Sequence, residues 1–372
     1  MRRKNSVIRW IGKLLLRIDY QILEKNEFQL LLKLGILVRN FEQMPDLEKL
    51  LSGLKKGDRL SLSKCITLVE SEAEAQQEMR YQLIESVENM PASSFRLAVT
   101  GVPGAGKSTL IDHLGMEWIG QGHKVAVLAV DPSSSISFGS ILGDKTRMTE
   151  LSKSEQAFIR PSPTRLQLGG VAAHTFETIL VCEAAGFDRI IIETVGVGQS
   201  ETLASQLADA VLLLLVAGTG DDLQGVKRGI LEAADMVFVN KADGANEKPA
   251  QGYARELDSI SRLWPLRRNG EKAFVMSGSA YTKTGLTELI THTEAFFEAI
   301  KSNLSMAKNR DSQKLLWLKA MFYQRLQLLM EQKMGLETKI EEAERVLHTE
   351  KQTVSATVKT MLREIADRYF SG

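Results

Sequence analysis

Residues 101–108 form the first group whose types and spacing could do chemistry. The stretch VTGVPGAGKST has Gly101, four residues, then Gly106, Lys107 and Ser108, and it lies between an apolar run and a helical stretch. This is the spacing of a phosphate-binding loop, whose glycines let successive backbone N–H groups point at phosphate oxygens. The amino terminus of the following helix adds its positive dipole end. We therefore predict that this loop binds a nucleoside triphosphate.

Two side chains of this loop have predicted chemical roles. Lys107 is expected to contact the β- and γ-phosphates during catalysis, and the Ser108 hydroxyl is expected to ligate Mg²⁺. The loop's other predicted nucleotide-binding residues are Gly101, Gly104, Ala105, Gly106 and Thr109. The alternative, an ordinary strand–turn–helix that matches by coincidence, is disfavoured because strand, loop and helix all occur in the required order.

A second motif predicts the base. The apolar run DMVFVNK ends in Asn240 and Lys241, followed by Asp243, and this resembles the guanine-reading Asn-Lys-x-Asp motif of P-loop GTPases. The Asp243 carboxylate can accept from N1–H and the exocyclic amine of guanine, a donor pair that adenine lacks. Lys241 can lay its stem over the ring, and Ser279 and Ala280 follow AFVMS on a loop expected to close over the base. Alone the motif could be a surface turn, but downstream of a phosphate loop it predicts GTP.

Three acidic residues are candidates for a Mg²⁺ site: Asp131 after KVAVLAV, Asp144 in LGDKTRM, and Glu193 at the end of RIIIET. Carboxylates near a triphosphate repel it unless a cation lies among them. Because Mg²⁺ keeps several waters, we expect most of these acids to act through water, which suits the longer glutamate side chain. For each acid the alternative is a helix cap or a surface charge, and the turn-like GDK makes Asp144 the weakest candidate.

The turn TVGVGQSE follows Glu193 and supplies Gly196, whose backbone N–H is predicted to reach the γ-phosphate. In Ras-like switches a glutamine directly follows this glycine and orients the attacking water. Here Val197 has that place, and Gln199 lies two residues further on. We keep Glu193 and Gln199 as catalytic candidates, and we expect slow unassisted hydrolysis until another group completes the site.

The order of apolar and helical stretches predicts the fold. From Phe95 to about Lys301, helical stretches separate six short apolar runs, which are RLAVTG, KVAVLAVD, RIIIET, AVLLLLVA, DMVFVNK and AFVMS. Continuous apolar strands of this kind belong to a parallel sheet with helices on both faces. The predicted fold class is therefore α/β, a mostly parallel P-loop NTPase core with helical extensions at the amino and carboxy termini.

Four segments are predicted along the chain of 372 residues. Residues 1–45 form amphipathic leader helices, residues 46–92 a helical extension, and residues 93–302 the P-loop GTPase domain. Residues 303–372 form a helical arm that could pack on its own domain or pair with a second copy. The leader places apolar residues at helical spacing beside a basic face. It fits docking on the protein or a partner, import into an organelle, or contact with a membrane surface.

Composition limits the function classes. With 44% hydrophobic and 25% charged residues and a net charge of +1, the sequence gives no argument for a nucleic-acid partner. Cys65 and Cys182 are far apart, which fits a reducing compartment and excludes a disulfide scaffold. No apolar run of the sequence reaches the ~20 residues that cross a bilayer. We expect a cytoplasmic protein, or a mitochondrial matrix protein if residues 1–20 are an import signal.

The motifs together closely resemble the MeaB/ArgK-type GTPases of the SIMIBI class, the chaperones of adenosylcobalamin-dependent methylmalonyl-CoA mutase. From about residue 48 to 300 the matching stretches include ITLVES, GVPGAGKST, VDPSSS, GSILGDKTRM, ETVGVGQSE, TGDDLQGVKRG and NKADG. The resemblance implies a homodimeric GTPase that gates cofactor loading and protects the mutase. It also implies metal-site roles for Asp131, Asp144 and Glu193, and a place in the first switch for Arg147.

The same resemblance supplies a candidate for the missing catalytic group. TGDDLQGVKRG matches a third switch loop, in which Asp221 and Lys227 match residues implicated in activated hydrolysis. A lysine brought to the γ-phosphate would act as an arginine finger does. The implied cofactors are GTP and Mg²⁺. Cobalamin is expected only through the partner, because the sequence has no D-x-H-x-x-G stretch of the kind that supplies an axial histidine.

Other functions need features that the sequence lacks or only partly supplies. A metal-delivery GTPase serving urease or hydrogenase would carry Cys/His clusters, whereas the five histidines here are scattered. A small-molecule kinase would seldom combine a phosphate loop with Asn-Lys-x-Asp. A GTP-binding adaptor without turnover stays open. The client could also be a related mutase, such as one acting on isobutyryl-CoA, because Phe138 and the stretch SPTRLQLGG depart from the family pattern.

Overall fold

The structure is a computed structural model that describes residues 46–71, 73–90, 93–130, 148–161, 168–194, 204–218, 228–350 and 353–369. The chain divides into two compact units, Met1–Lys64 and Cys65–Gly372. None of the helices in the described part has the length and hydropathy that crossing a membrane requires.

The described part of the first unit is helical. It contains α1, Leu47–Lys55, and the beginning of α2, Arg59–Val69. Asp46 caps α1 with its side chain. Asp58 caps α2, because its carboxylate accepts from the Ser61 backbone N at 2.8 Å and from the Ser61 hydroxyl at 2.6 Å. Both aspartates satisfy N–H groups that a helix leaves without partners in its first turn.

The second unit alternates strands and helices. Its strands are β1 (Phe95–Gly101), β2 (Val125–Val130), β3 (Ala157–Pro161), β4 (Arg189–Thr194), β5 (Ala210–Val216), β6 (Met236–Asn240) and β7 (Phe274–Ser277). Its helices are α3 (Glu74–Glu88), α4 (Lys107–Gly120), α5 (Leu168–Ala184), α6 (Arg228–Ala233), α7 (Glu247–Ser261), α8 (Leu286–Ser302), α9 (Ser305–Met334), α10 (Leu336–Glu350) and α11 (Val354–Tyr369).

The seven strands form one sheet in the order β3-β2-β4-β1-β5-β6-β7, and all the pairings are parallel. The predicted α/β fold with a parallel sheet is therefore confirmed. The sequence analysis identified six of these strands and missed β3. This strand has five residues, lies at the edge of the sheet and ends in Pro161. An edge position tolerates a proline, which has no N–H, because no further strand of the described sheet needs a donor there.

Complete burial of the inner strands explains their continuous apolar sequences. Every residue of β1, β2, β4 and β6 is buried. One core cluster joins strand residues such as Leu97 to Leu110 of α4 and Leu289 of α8. A second cluster joins Val237 of β6 to Leu257 of α7. With helices on both faces, a strand has no solvent side, so the alternation of polar and apolar residues disappears.

Helix α9 docks where the central strands begin, through a buried charged network. Arg96 Nε donates to Glu183 Oε1 at 2.8 Å, and Arg310 Nη2 donates to Asp209 Oδ2 at 2.7 Å. Gln313 Oε1 accepts from Arg96 Nη1 at 3.0 Å. Burial opposes the charged form of Glu183, yet the guanidinium groups of Arg96 and Arg310 hold the pKa of this carboxyl below its usual range. The network fixes α9 to the ends of the strands opposite those that carry the predicted site.

Candidate nucleotide-binding site

The phosphate loop connects β1 to α4 and holds Lys107 inside it. The Lys107 ammonium donates to the carbonyl oxygens of Gly101 at 2.7 Å and Val102 at 3.2 Å. The backbone N of Ala105 donates to Val102 O at 3.1 Å, which closes the loop. Lys107 is buried, so its charge lies at the centre of the loop and not in solvent. An ammonium held there, next to the amino terminus of α4, is an arrangement that attracts phosphate oxygens.

Two glycines of the loop are required by backbone geometry and by close neighbours. Gly101 has φ +144°, and a Cβ there would lie 2.2 Å from Leu214 O of β5. Gly106 has φ +93°, and its Cβ would lie 2.4 Å from Asn240 Nδ2. Any other residue would have both a disfavoured φ and a steric clash. Gly104 is exposed with open space around it, and Thr109 is exposed in the first turn of α4.

Ser108 and Glu193 meet beside the loop. Ser108 Oγ donates to Glu193 Oε1 at 2.9 Å, and Glu193 is only 4% exposed. Glu193 lies next to the end of β4, whereas Ser108 lies in the first turn of α4. The carboxyl ends of neighbouring parallel strands open on the same edge of the sheet, which explains why residues 85 positions apart come together. The pair offers oxygen atoms of the kind that hard cations prefer.

Asn240 connects the phosphate loop to the loop that follows β7. Its Nδ2 donates to Ala105 O at 2.7 Å, and its Oδ1 accepts from the Ala280 backbone N at 2.8 Å. Asn240 is buried and ends β6, which lies two strands from β1. The predicted base motif and the predicted phosphate loop are therefore parts of one hydrogen-bonded structure.

The remaining base residues lie around Asp243. The Ser279 hydroxyl donates to Asp243 Oδ2, and the Thr282 backbone N donates to Ser279 Oγ at 3.1 Å. Lys241 is exposed, and its backbone adopts φ +61°. Asn246 holds this conformation, because its Nδ2 donates to Lys241 O at 2.9 Å. The carboxylate of Asp243 is thus oriented by one hydroxyl donor, while Lys241 stays on the surface beside it.

Comparison with known proteins identifies the family. Residues 62–335 match the family described as methylmalonyl Co-A mutase-associated GTPase MeaB. The chain belongs to this family. GTPase ArgK of Escherichia coli is 44% identical over 268 residues, which cover 72% of this chain and 80% of the relative. The mouse protein named methylmalonic aciduria type A homolog, mitochondrial, is 43% identical over 283 residues, 73% of this chain and 68% of the relative.

A solved structure supports the same assignment. The crystal structure of a protein named LAO/AO transport system kinase has a TM-score of 0.66 and 29% identity, and the match covers 87% of this chain and 99% of that chain. The resemblance to the MeaB/ArgK type and to the SIMIBI class is confirmed. This MeaB-family protein is a GTPase, an enzyme that binds and hydrolyses GTP.

Seven predicted site residues lie outside the part of the chain that the structure describes. They are Asp131, Asp144, Arg147, Gly196, Gln199, Asp221 and Lys227. Their predicted roles in the metal site, the switches and catalysis stay predictions. The structure brings together the other predicted residues in the three segments after β1, β6 and β7, and at the end of β4.

Sequence analysis missed Asp112. Its Oδ1 accepts from the Leu151 backbone N at 2.7 Å, and the carboxylate is buried on α4. Gly115, one turn later, leaves room for Leu151, since a Cβ at Gly115 would lie 2.8 Å from the Leu151 side chain. This contact fixes the chain to α4 at Leu151. The available signal was an acidic residue beside Leu110, Ile111 and Leu114 on a predicted helix, since a carboxylate buried among apolar residues requires a partner.

Proposed function

We propose that this MeaB-family GTPase is a chaperone of an adenosylcobalamin-dependent acyl-CoA mutase, with methylmalonyl-CoA mutase as the client. GTP hydrolysis gates the loading of the cofactor and protects the loaded enzyme. The observation that carries the proposal is the match of residues 62–335 to a family described as associated with this mutase. The Asn240 contacts, which join the phosphate and base loops into one site, support guanine-nucleotide control of that association.

The proposed nucleotide site gives defined roles to the residues of the two loops. Backbone N–H groups of Gly104 and Gly106 face the phosphates, and Lys107 neutralises their negative charge. Ala105 holds the loop between them closed through its hydrogen bond to Val102 O. Asp243 reads the guanine edge, with Ser279 orienting its carboxylate. A buried acceptor pair left without donors costs about 1–3 kcal/mol per group, which is the physical basis of selection against adenine.

The residues present fit a Mg²⁺ ion. Ser108 and Glu193 supply hard oxygen donors 2.9 Å apart, next to the phosphate loop. Ser108 would hold the ion directly, while Glu193, Asp131 and Asp144 would hold it through water. When bound, Mg²⁺ supplies charge neutralisation on the β- and γ-phosphates.

Stimulated turnover is assigned to the loops outside the described residues. Gln199 would orient water, and Gly196 would donate its backbone N–H to the γ-phosphate. Asp221 and Lys227 would complete the site when the mutase binds, with Lys227 stabilising negative charge that develops in the transition state. Arg147 belongs to the first switch. Cobalamin is bound by the partner and reaches this protein only within the complex.

We further propose that the helical arm, residues 303–372, forms a homodimer. Leu315, Leu318 and Phe322 on α9 are each 62% exposed, and Leu326 and Leu329 are each 41% exposed. Their spacing repeats every three or four residues, so they form one apolar stripe along the helix, as in a coiled-coil seam. Replacing Leu318 and Phe322 with glutamate should convert a dimer to a monomer in light scattering. Leu263→Glu, at an apolar residue that is 86% exposed outside the arm, is the control.

The test of the proposed function is GTP turnover with and without purified methylmalonyl-CoA mutase, with ATP as the control nucleotide. We expect the mutase to stimulate hydrolysis of GTP and not of ATP, and we expect GTP to slow the loss of mutase activity during turnover. Turnover of GTP that is indifferent to this mutase would contradict the client assignment. An isobutyryl-CoA mutase is tested in parallel. Stimulation by this enzyme alone would identify a different client, whereas stimulation by neither enzyme would indicate that neither is a client.

Two variants extend this test. Lys227→Ala should remove most of the mutase-stimulated turnover, because the transition state loses a positive charge. Lys248→Ala changes an exposed lysine at the start of α7 and should leave the stimulation intact. Full stimulation of the Lys227 variant would refute its proposed role. Binding of GTP without any turnover, with or without the mutase, would identify an adaptor instead.

A further inference from the structure

Strands β1 and β4 are joined beyond the end of their backbone pairing. Their register runs from Phe95 opposite Arg189 to Val99 opposite Glu193. Thr100 and Thr194 are the next residues in the same register. Thr194 Oγ1 donates to Thr100 Oγ1 at 3.0 Å, and the two residues are 0% and 1% exposed, respectively. A side-chain hydrogen bond therefore continues the pairing by one step.

The two threonines lie on the face of the sheet opposite the predicted metal site. Successive side chains of a strand point to opposite faces. Ile191 belongs to the core cluster beneath α4, so Glu193, two residues later, points to the same face and meets Ser108 of α4. Thr194 points the other way, and so does Thr100. The hydroxyl pair therefore joins the two strand ends on one face of the sheet, while Glu193 contacts Ser108 on the other face.

The position of this bond matters because each threonine adjoins a residue of the predicted site. Gly101, the first residue of the phosphate loop, directly follows Thr100, and Glu193 directly precedes Thr194. The backbone registers pair Thr100 with Leu213 of β5, and Thr194 with Val130 of β2. Each strand end is therefore also held by its outer neighbour. The hydroxyl bond ties the two ends to each other across the central junction.

We propose that the Thr100–Thr194 hydrogen bond is a positioning device for GTP hydrolysis. It sets the separation between the phosphate loop and the carboxylate of Glu193, and through it the fit of the Ser108–Glu193 pair to Mg²⁺. The side chains of Thr194 and Thr100 lie on the face of the sheet opposite the Ser108–Glu193 pair, so they are positioning residues. The inference rests on the proposed roles of Ser108 and Glu193. It differs from them because it assigns function to a contact on the other face of the sheet.

Three single variants isolate the hydroxyl bond. Thr194→Val keeps the shape and removes the donor, Thr194→Ser keeps the donor, and Thr100→Val removes the acceptor. Thr293→Val is the matched control. Thr293 is also fully buried, and its hydroxyl donates to Leu289 O at 2.8 Å within α8, away from the β1–β4 junction. The full-length protein is used throughout, and thermal unfolding reports the stability of each variant.

The measurement is the affinity for the fluorescent nucleotide N-methylanthraniloyl-GDP, first with EDTA and then with increasing Mg²⁺. For Thr194→Val and Thr100→Val we expect the nucleotide affinity in EDTA to be unchanged. The Mg²⁺ concentration at which half of the Mg²⁺-dependent gain in nucleotide affinity is reached should rise about tenfold. This is the size typical when residues that orient metal ligands are changed. Thr194→Ser and Thr293→Val should match the wild type. In GTP turnover, kcat should fall at limiting Mg²⁺ while KM stays close to its wild-type value.

A double-mutant cycle with Glu193→Gln tests whether the hydroxyl bond acts through Glu193. If the hydroxyl bond acts by placing Glu193, Thr194→Val should have no further effect on the Mg²⁺ response once Glu193 is replaced. A wild-type Mg²⁺ response in both valine variants, or an equal shift in Thr293→Val, would overturn the inference and leave the proposed metal site standing. A wild-type protein whose nucleotide affinity is independent of Mg²⁺ would overturn the metal site and this inference together.

Discussion

Asn240 Nδ2 donates to the carbonyl oxygen of Ala105 at 2.7 Å, so the end of β6 is tied to the phosphate loop after β1. The same side chain accepts from the Ala280 backbone N at 2.8 Å. One buried amide thus connects three segments that sequence motifs assign to phosphate binding and to base binding. A change at Asn240 therefore removes contacts to the segments after β1 and β7 at the same time.

Replacing Asn240 with alanine should weaken nucleotide binding as a whole. The change leaves Ala105 O and Ala280 N without their partners, each at a cost of about 1–3 kcal/mol. We expect the affinity for GDP to fall by about 100-fold or more in isothermal titration calorimetry. Asn303→Ala is the control, because it removes only exposed hydrogen bonds, to Arg268 O and from Ser305 N, away from both loops. Equal effects of the two variants would show that the bridge from β6 to the phosphate loop has no special role.

Gly106→Ala should abolish nucleotide binding while the protein still folds. The added Cβ would lie 2.4 Å from Asn240 Nδ2, at a φ of +93° that alanine rarely adopts. The loop and Asn240 would have to move apart, and this breaks the contact that positions both. Gly120→Ala adds a methyl group where no atom lies within 4 Å, and it should leave GDP affinity at the wild-type value. Retention of full affinity by the Gly106 variant would contradict the described loop geometry.

Arg96→Met should strongly lower the free energy of unfolding. It leaves the buried Glu183 without its bidentate partner, and breaking a buried pair on one side costs about 3–5 kcal/mol. The control is Lys153→Met, which breaks an exposed ion pair with Glu150 and should cost less than about 1 kcal/mol. Urea unfolding measures both. Replacing Glu183 with leucine in the Arg96→Met background should restore part of the loss, since it removes the unpaired charge.

The pH dependence of stability should carry a contribution from His174. Burial, with a smaller effect of Arg80, lowers the pKa of His174 to about 4, and its ring lies between Val69 O and Gln324. The unfolded chain takes up this proton near pH 6.5 whereas the folded protein does not until about pH 4. The contribution of His174 to the free energy of unfolding is therefore fully present above about pH 6.5. It is lost as the pH falls to about 4, by roughly 1.4 kcal/mol per pH unit.

The comparison that isolates this effect is between the wild type and His174→Asn. Asparagine can still donate to Val69 O but does not titrate, so its stability should change less between about pH 6.5 and 4. Burial raises the pKa of Asp235 to about 6, and this group works in the opposite direction below that pH in both proteins. His292→Asn, at an exposed ring, is the control. Identical pH curves for the wild type and the His174 variant would refute the assignment.

Local patterns predicted the parts of the fold and of the site that depend on neighbours in sequence. The phosphate loop needs glycines at fixed positions after a strand, and the base motif needs its polar residues at a strand end, so both were visible as short motifs. The apolar runs predicted six strands for the same reason. Strand β3 was missed because an edge strand is only partly covered and its residues Arg160 and Pro161 are not typical of an inner strand.

Contacts between distant residues could not be predicted in this way. Arg96 lies in an apolar run, and nothing near it in sequence identifies Glu183, 87 residues later, or Gln313, 217 residues later, as its partners. The same is true of Thr100 and Thr194, whose strands are neighbours only because β4 inserts between β1 and β2 in the sheet. A buried polar residue in an apolar run indicates that a partner exists, but only the fold identifies it.

The charged network at the start of the strands has a consequence for the order in which the protein matures on the ribosome. Arg96 is synthesised before its ion-pair partner Glu183, 87 residues later. Asp209 likewise lacks its partner Arg310 until 101 more residues have been synthesised. Strand β1 carries the phosphate loop, so the charged network that supports this strand is complete only after the first turns of α9 have left the exit tunnel. Nascent chains arrested before residue 310 should therefore be poor at retaining nucleotide, although every residue of both sequence motifs is already present.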